Sequence, residues 1–166
     1  MKTMEENKII EVGMGKIEIA VSPHKLITRG LGSCLGITFY DPYKKIGGMA
    51  HPMLPDINSS RIRSNPHRFV NFVIGEMVEE MEKRGCGRNF IVVKMFGGAH
   101  MFSFIDTDSF LNIGQKNIDA ARAVLKDIGL KPVAEEVGGT FGRTIELNLE
   151  NGMVLVSTVS RGEKEV

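Results

Sequence analysis

Apolar positions alternate with polar ones along the first fifty residues and recur at helical spacing after that. Ile17, Ile19 and Val21 share one face of 16–21, the two-residue period of a strand, and 8–13 reads as another short strand. A third extended piece, 25–28, leads into Gly30-Leu31-Gly32. The segments 34–40 and 45–54 are strand-like and flank Asp41-Pro42-Tyr43-Lys44. Asp at the first turn position can bond its own backbone and Pro at the second presets φ, so a type I turn and a hairpin are predicted. The first helix is predicted from an Asn65 N-cap and Pro66 at its first position to Gly85, with Phe69, Phe72, Val73, Met77 and Met81 on one side. A buried strand at 90–95 follows, then a second helix over 115–128 with Ile118, Ala121, Leu125 and Ile128 on one face and Gly129 as its stop. Strands are expected at 131–137, 143–149 and 153–159, the last two joined by Asn151-Gly152, which suits positive φ in a tight hairpin.

Two main helices against many mostly antiparallel strands predict an α+β fold, a layered α/β/β sandwich. The 166 residues suit one domain, and neither a repeat nor a linker divides them, so 1–166 is read as a single unit. Apolar residues make up 42% and charged residues 25%, an ordinary globular composition. The net charge of +1 is scattered rather than gathered into a stripe, which argues against nucleic acid as a partner. There is no apolar run of the roughly 20 residues a membrane span needs, and Lys2, Glu5, Glu6 and Lys8 break any secretory h-region, so a cytoplasmic location is expected. In that compartment Cys34 and Cys86 are expected to remain free thiols.

The hairpin brings candidate chemistry together. A symmetric loop at 41–44 pairs residue 40 with 45, 38 with 47 and 36 with 49, and its extension sets Cys34 opposite His51. Opposed residues on antiparallel strands share a face, with Cβ atoms about 4.5–5.5 Å apart. A thiol beside an imidazole can lose its proton and attack as thiolate, the imidazole holding the ion pair. Just before Cys34, the glycines of 28–33 let the backbone approach a ligand, and amides near Gly32 and Ser33 suit an oxyanion hole. Spacing alone leaves an inert strand cysteine and a hydrogen-bonded core histidine as the alternative. A zinc site from Cys34, His51, Cys86 and His100 would lack the short paired spacing of structural zinc sites. His24 and His67 read as solvated, and His100 as a loop histidine outside the catalytic set.

Five motifs in order, G-L-G-S-C at 30–34, A-H-P-M-L-P at 50–55, F-G-G-A-H-M-F at 96–102, N-I-G-Q-K-N at 112–117 and G-G-T-F-G-R-T at 138–144, resemble the signatures of the CheD deamidases over nearly the whole chain. The resemblance implies a triad of Cys34, His51 and Thr28, with Thr28 acting through its hydroxyl, its carbonyl or its packing. It further implies hydrolysis of selected glutamine side chains on the cytoplasmic helices of chemoreceptors through a cysteine thioester. Nucleophile, base and oxyanion donors all come from the chain, so no cofactor and no metal are expected. The apolar 101–113 stretch (Phe102, Phe104, Ile105, Phe110) reads first as core packing; if part of it is exposed it makes a contact patch for a partner, and the resemblance implies a CheY phosphatase of the CheC type. Arg29 and Pro52 depart from the family pattern, and Arg29 is read as bearing on substrate or partner choice. The competing readings are a non-catalytic module that docks on CheC or receptors, and a cysteine hydrolase of another class.

Overall fold

The computed structural model describes residues 6–101 and 112–166. Among these residues, ten strands form two five-stranded sheets. The first holds β1 (Ile9–Glu11), β3 (Lys25–Leu31), β8 (Arg143–Asn148), β9 (Val154–Thr158) and β10 (Gly162–Glu165), in that spatial order. The second runs β2 (Ile17–Val21), β5 (Ile46–Ala50), β4 (Leu35–Asp41), β6 (Val92–Gly97), β7 (Ala134–Val137). Pairing is antiparallel except between β1 and β3 and between β6 and β7.

Each face of the second sheet has its own core. Ile37, Phe39, Val93 and Met95 pack against α1 (Val70–Lys83) and α2 (Ile113–Asp127). From the opposite face, Tyr40, Met49 and Phe96 meet Leu26, Leu31, Ile145, Leu147 and Val156 of the first sheet. Strand β4 is therefore buried along its whole length. The sheets pack closely where Gly36 faces Ile145, since a Cβ there would lie 2.6 Å from Ile145 Cδ1. The expected α/β/β layering is what the chain adopts.

Several local expectations are corrected. The β4–β5 ladder pairs Asp41 with Ile46, Tyr40 with Gly47 and Ile37 with Ala50, two residues out of the expected register. Asp41 is itself a strand residue: its carboxylate accepts from the Tyr43 and Lys44 amides, and its carbonyl accepts from Lys45 N at 2.8 Å. Lys45 takes φ +52°, so the connecting loop is 42–45. The first helix starts at Val70, because Phe69 is extended and buried and forms a bridge to Leu54, while Pro66–Arg68 is a separate 3-10 turn. In the β8–β9 hairpin only Gly152 has positive φ, and Asn151 instead accepts from Met153 N at 2.9 Å. Strand β10 was not anticipated, since its four residues are all exposed and carry no apolar alternation.

Candidate active site

Thr28 and His51 meet across the two sheets. Thr28 is wholly enclosed on β3, immediately before a bulge in its pairing with β8 that leaves Arg29 and Gly30 outside the ladder. Bulges of this kind re-aim the chain beside functional sites. His51 follows β5 and is held on both sides by backbone: its N–H donates to Lys16 O at 3.1 Å and its carbonyl accepts from Gly15 N at 2.8 Å. The imidazole is 1% exposed.

One hydroxyl proton decides the tautomer. Thr28 Oγ1 lies 2.6 Å from Val12 O, a carbonyl that can only accept, so the hydroxyl donates there. The same Oγ1 lies 2.7 Å from His51 Nδ1. With its only proton committed, Oγ1 accepts at that contact and Nδ1 carries the hydrogen. Nε2 is left as the lone pair of the neutral ring, and it has no hydrogen-bond partner among the described residues. The side-chain hydroxyl of Thr28, rather than its carbonyl, is thus what contacts the ring.

Cys34 sits at the entrance to β4 and belongs to the inter-sheet core. The β4–β5 ladder ends at Ile37 and Ala50, short of both groups, so strand pairing does not set Cys34 opposite His51; Cys34 packs in the inter-sheet core, and His51 reaches Thr28 of the first sheet. Cys34 and His51 are not hydrogen-bonded to each other. Burial pushes the Cys34 thiol upward, an effect its own backbone amide partly offsets. Burial also depresses the His51 imidazole to about 4. The resting pair is accordingly neutral thiol and neutral imidazole, not the ion pair that adjacency alone suggests.

The Cys34 loop is clamped from the end of β6. Gly98 N donates to Cys34 O and Ala99 N to Gly32 O, both at 2.9 Å. Gly97 has φ +96°, and a Cβ there would run into the Cys34 carbonyl, so this position admits only glycine. Arg143, 3% exposed, donates to Glu136 and to Gly138 O at 2.9 Å, fixing the turn whose Gly139 O accepts from His100 N at 2.8 Å. Ser33 and Cys34 N–H have no carbonyl acceptor among the described residues, as an oxyanion site requires. A cleft of about 380 Å³ opens over Gly32, Ser33 and Cys34, with Ala99, His100 and Met101 opposite and the start of α2 along one edge. His100, set aside on sequence grounds, lines the same cleft as Cys34. Cys86 lies in the other core, under the helices, and among the described residues no group of three or more His, Cys, Asp or Glu converges to hold a metal.

The family model described as CheD chemotactic sensory transduction matches residues 53–158. A probable chemoreceptor glutamine deamidase CheD of Caldanaerobacter subterraneus subsp. tengcongensis is 43% identical over 97% of this chain and 99% of its own length. One from Clostridium tetani is 43% identical over the full length of both. The chemoreceptor glutamine deamidase CheD of Halalkalibacterium halodurans is 38% identical over 96% of this chain and 99% of its own. The chain belongs to the CheD family.

In this CheD-family chain the matched span begins just past His51, and the near full-length relatives cover the residues before it. The motifs at 30–34 and 96–102 meet at the cleft through the Gly98 and Ala99 bonds, and that at 138–144 joins them through Gly139. Phe102, Phe104, Ile105 and Phe110 lie outside the described residues. Arg29 is exposed, its guanidinium 3.7 Å from Glu11. Among the described residues no helix is long and apolar enough to cross a membrane.

The buried imidazole predicts an acid-side loss of stability. His51 titrates near 6.5 in the unfolded chain and about 4 in the folded one. Between those values the unfolded chain takes up a proton that the folded chain refuses, so acidification favours unfolding. Its contribution, about 3 kcal/mol, is fully present above pH 6.5 and is lost as pH falls through about 4. Urea unfolding at pH 7 and pH 4.5 should show a smaller drop for His51→Gln than for the wild type, and equal drops would contradict the assignment.

Proposed function

We propose that this protein deamidates glutamine side chains on chemoreceptors, with Cys34 as nucleophile, His51 as base and acid, and Thr28 as the orienter of His51. The observation that carries the reading is the Thr28 hydroxyl, which is committed to Val12 O and leaves His51 with Nε2 as its only lone pair. Membership of the CheD family, whose relatives bear the name chemoreceptor glutamine deamidase, supplies the substrate.

Because both groups rest neutral, attack and proton transfer run together. As a glutamine amide enters the cleft, the Cys34 thiol gives its proton to Nε2 while sulfur bonds to the amide carbon. The developing oxyanion is received by the Ser33 and Cys34 amides near Gly32. His51 then protonates the nitrogen, the C–N bond breaks, ammonia leaves and a thioester remains. Water attacks that thioester, giving a proton to Nε2; the C–S bond breaks, the thiol recovers its proton, and glutamate is released. Every step uses side chains and amides of the chain, so no metal or cofactor is invoked.

Thr28 Oγ1 stabilises a charged imidazole less than a carboxylate would, since it brings no full negative charge. Thr28→Val should lower kcat about 10-fold or more with little change in KM, because the ring loses the acceptor that fixes its tautomer. Steady-state kinetics decide this, and wild-type kcat in a correctly folded Thr28→Val would remove the hydroxyl from the mechanism.

A CheY phosphatase of the CheC type is the proposed regulator and the cytoplasm the proposed location, both resting on the family resemblance. The overall reading is tested by intact-mass analysis of a chemoreceptor cytoplasmic fragment after incubation. Conversion of side-chain amide to acid at discrete glutamines is expected, and an unchanged fragment would contradict it.

A further inference from the structure

The motif at 112–117 opens α2, and its last residue is the only polar side chain of that helix that is fully enclosed. Asn117 Nδ2 donates to Ser33 O at 2.9 Å and to Met53 O at 3.0 Å. The amide cannot be turned over, because both neighbours are carbonyl oxygens and only the NH2 end offers hydrogens. One carbonyl directly precedes Cys34, and the other lies two residues beyond His51.

We infer that Asn117 is a positioning residue that holds the nucleophile's loop against the segment carrying the base. The inference rests on the roles assigned above to Cys34 and His51. The β4–β5 ladder that would otherwise tie the two segments ends at Ile37 and Ala50, short of both groups. Beyond it, Leu35 N to Pro52 O at 3.1 Å is the single backbone bond between them among the described residues. Asn117 adds two further restraints at the point where the ladder has stopped.

The other end of the amide sets this apart from ordinary packing. Oδ1 is buried without a hydrogen-bond partner among the described residues. Enclosing an unpaired carbonyl is unfavourable, and leucine at the same place avoids that cost. The two donated bonds are what the asparagine supplies and leucine cannot. Geometry of this kind matters to the reaction, since misplacing reacting groups by about 1 Å can cost roughly 100-fold in rate.

The test uses the full chain and a chemoreceptor fragment. Asn117→Leu keeps the bulk and removes both donors, and Asn117→Ala removes them without adding bulk, so one serves if the other fails to fold. Activities are referred to the folded fraction measured by circular dichroism, with Cys34→Ala alongside. We expect kcat per folded molecule to fall roughly 10- to 100-fold while KM stays within about twofold. We also expect His51→Ala to slow alkylation of Cys34 by iodoacetamide in the wild-type background and to add little in the Asn117→Leu background, with Cys86 unaffected. A residue that only stabilises the fold gives wild-type kcat per folded molecule, multiplying effects of Asn117→Leu and His51→Ala, and faster alkylation of both cysteines together. That pattern overturns the positioning role. Activity retained in Cys34→Ala would instead overturn the underlying assignment, and the positioning role with it.

Discussion

Cys34→Ala abolishes release of ammonia from a receptor fragment, lowering the rate by roughly 10⁴-fold or more, the scale seen when a catalytic nucleophile is removed. The cleft offers no substitute: Ser33 is adjacent, but its role in the account is its backbone amide, and Cys86 lies in the other core. The substitution deletes one sulfur at a buried loop position and leaves every backbone bond of the loop available, including Gly98 N to Cys34 O. The far-ultraviolet circular dichroism spectrum is therefore expected to match the wild type. Retained turnover in Cys34→Ala would end the covalent mechanism.

His51→Ala is expected to reduce turnover on a comparable scale, because the same ring serves both halves of the reaction. The neutral resting state makes this dependence strong. A thiol held above its ordinary range by burial supplies little thiolate of its own near neutral pH, so attack relies on a base at the moment of reaction. Removing the imidazole also strands the Thr28 hydroxyl's acceptor side, although its donation to Val12 O is kept. Ammonia release measured from pH 6 to 9 distinguishes the cases. Loss across the whole range is expected, whereas recovery to wild-type rates at high pH would mean that His51 only aids ionisation of the thiol and is dispensable for ammonia departure.

Much of this site was legible in the sequence because strand chemistry repeats every second residue. The turn at Asp41 is less legible, since nothing local announces that Lys45 takes a left-handed conformation and moves the loop to 42–45. The register moves by two as a result, which alters partners but not faces within the ladder, and the ladder stops at Ile37 and Ala50 before reaching Cys34 or His51. The layer order was readable from Ile118, Ala121 and Leu125 on one helix and Val73, Met77 and Met81 on the other.

What the sequence hid depends on distant pairing or on a single proton. Thr28 touches His51 from the other sheet, and only the 2.6 Å contact with Val12 O assigns its hydrogen. The link from Asn117 to Ser33 and Met53 spans 84 and 64 positions, beyond any local pattern. The start of the first helix was set by tertiary contact, Phe69 being taken into the core and bridged to Leu54, which outweighed the Asn65-Pro66 start signal. Strand β10 pairs with β9 through backbone bonds its exposed side chains do not advertise.

The covalent step is tested most directly by capture of the thioester. During turnover of a receptor fragment in the presence of hydroxylamine, an acyl group on Cys34 partitions between water and the added nucleophile. The account predicts that wild-type protein yields glutamyl hydroxamate at the same glutamines that otherwise become glutamate, and that Cys34→Ala yields neither. Glutamate formed at an undiminished rate, with no hydroxamate at any hydroxylamine concentration, would contradict it.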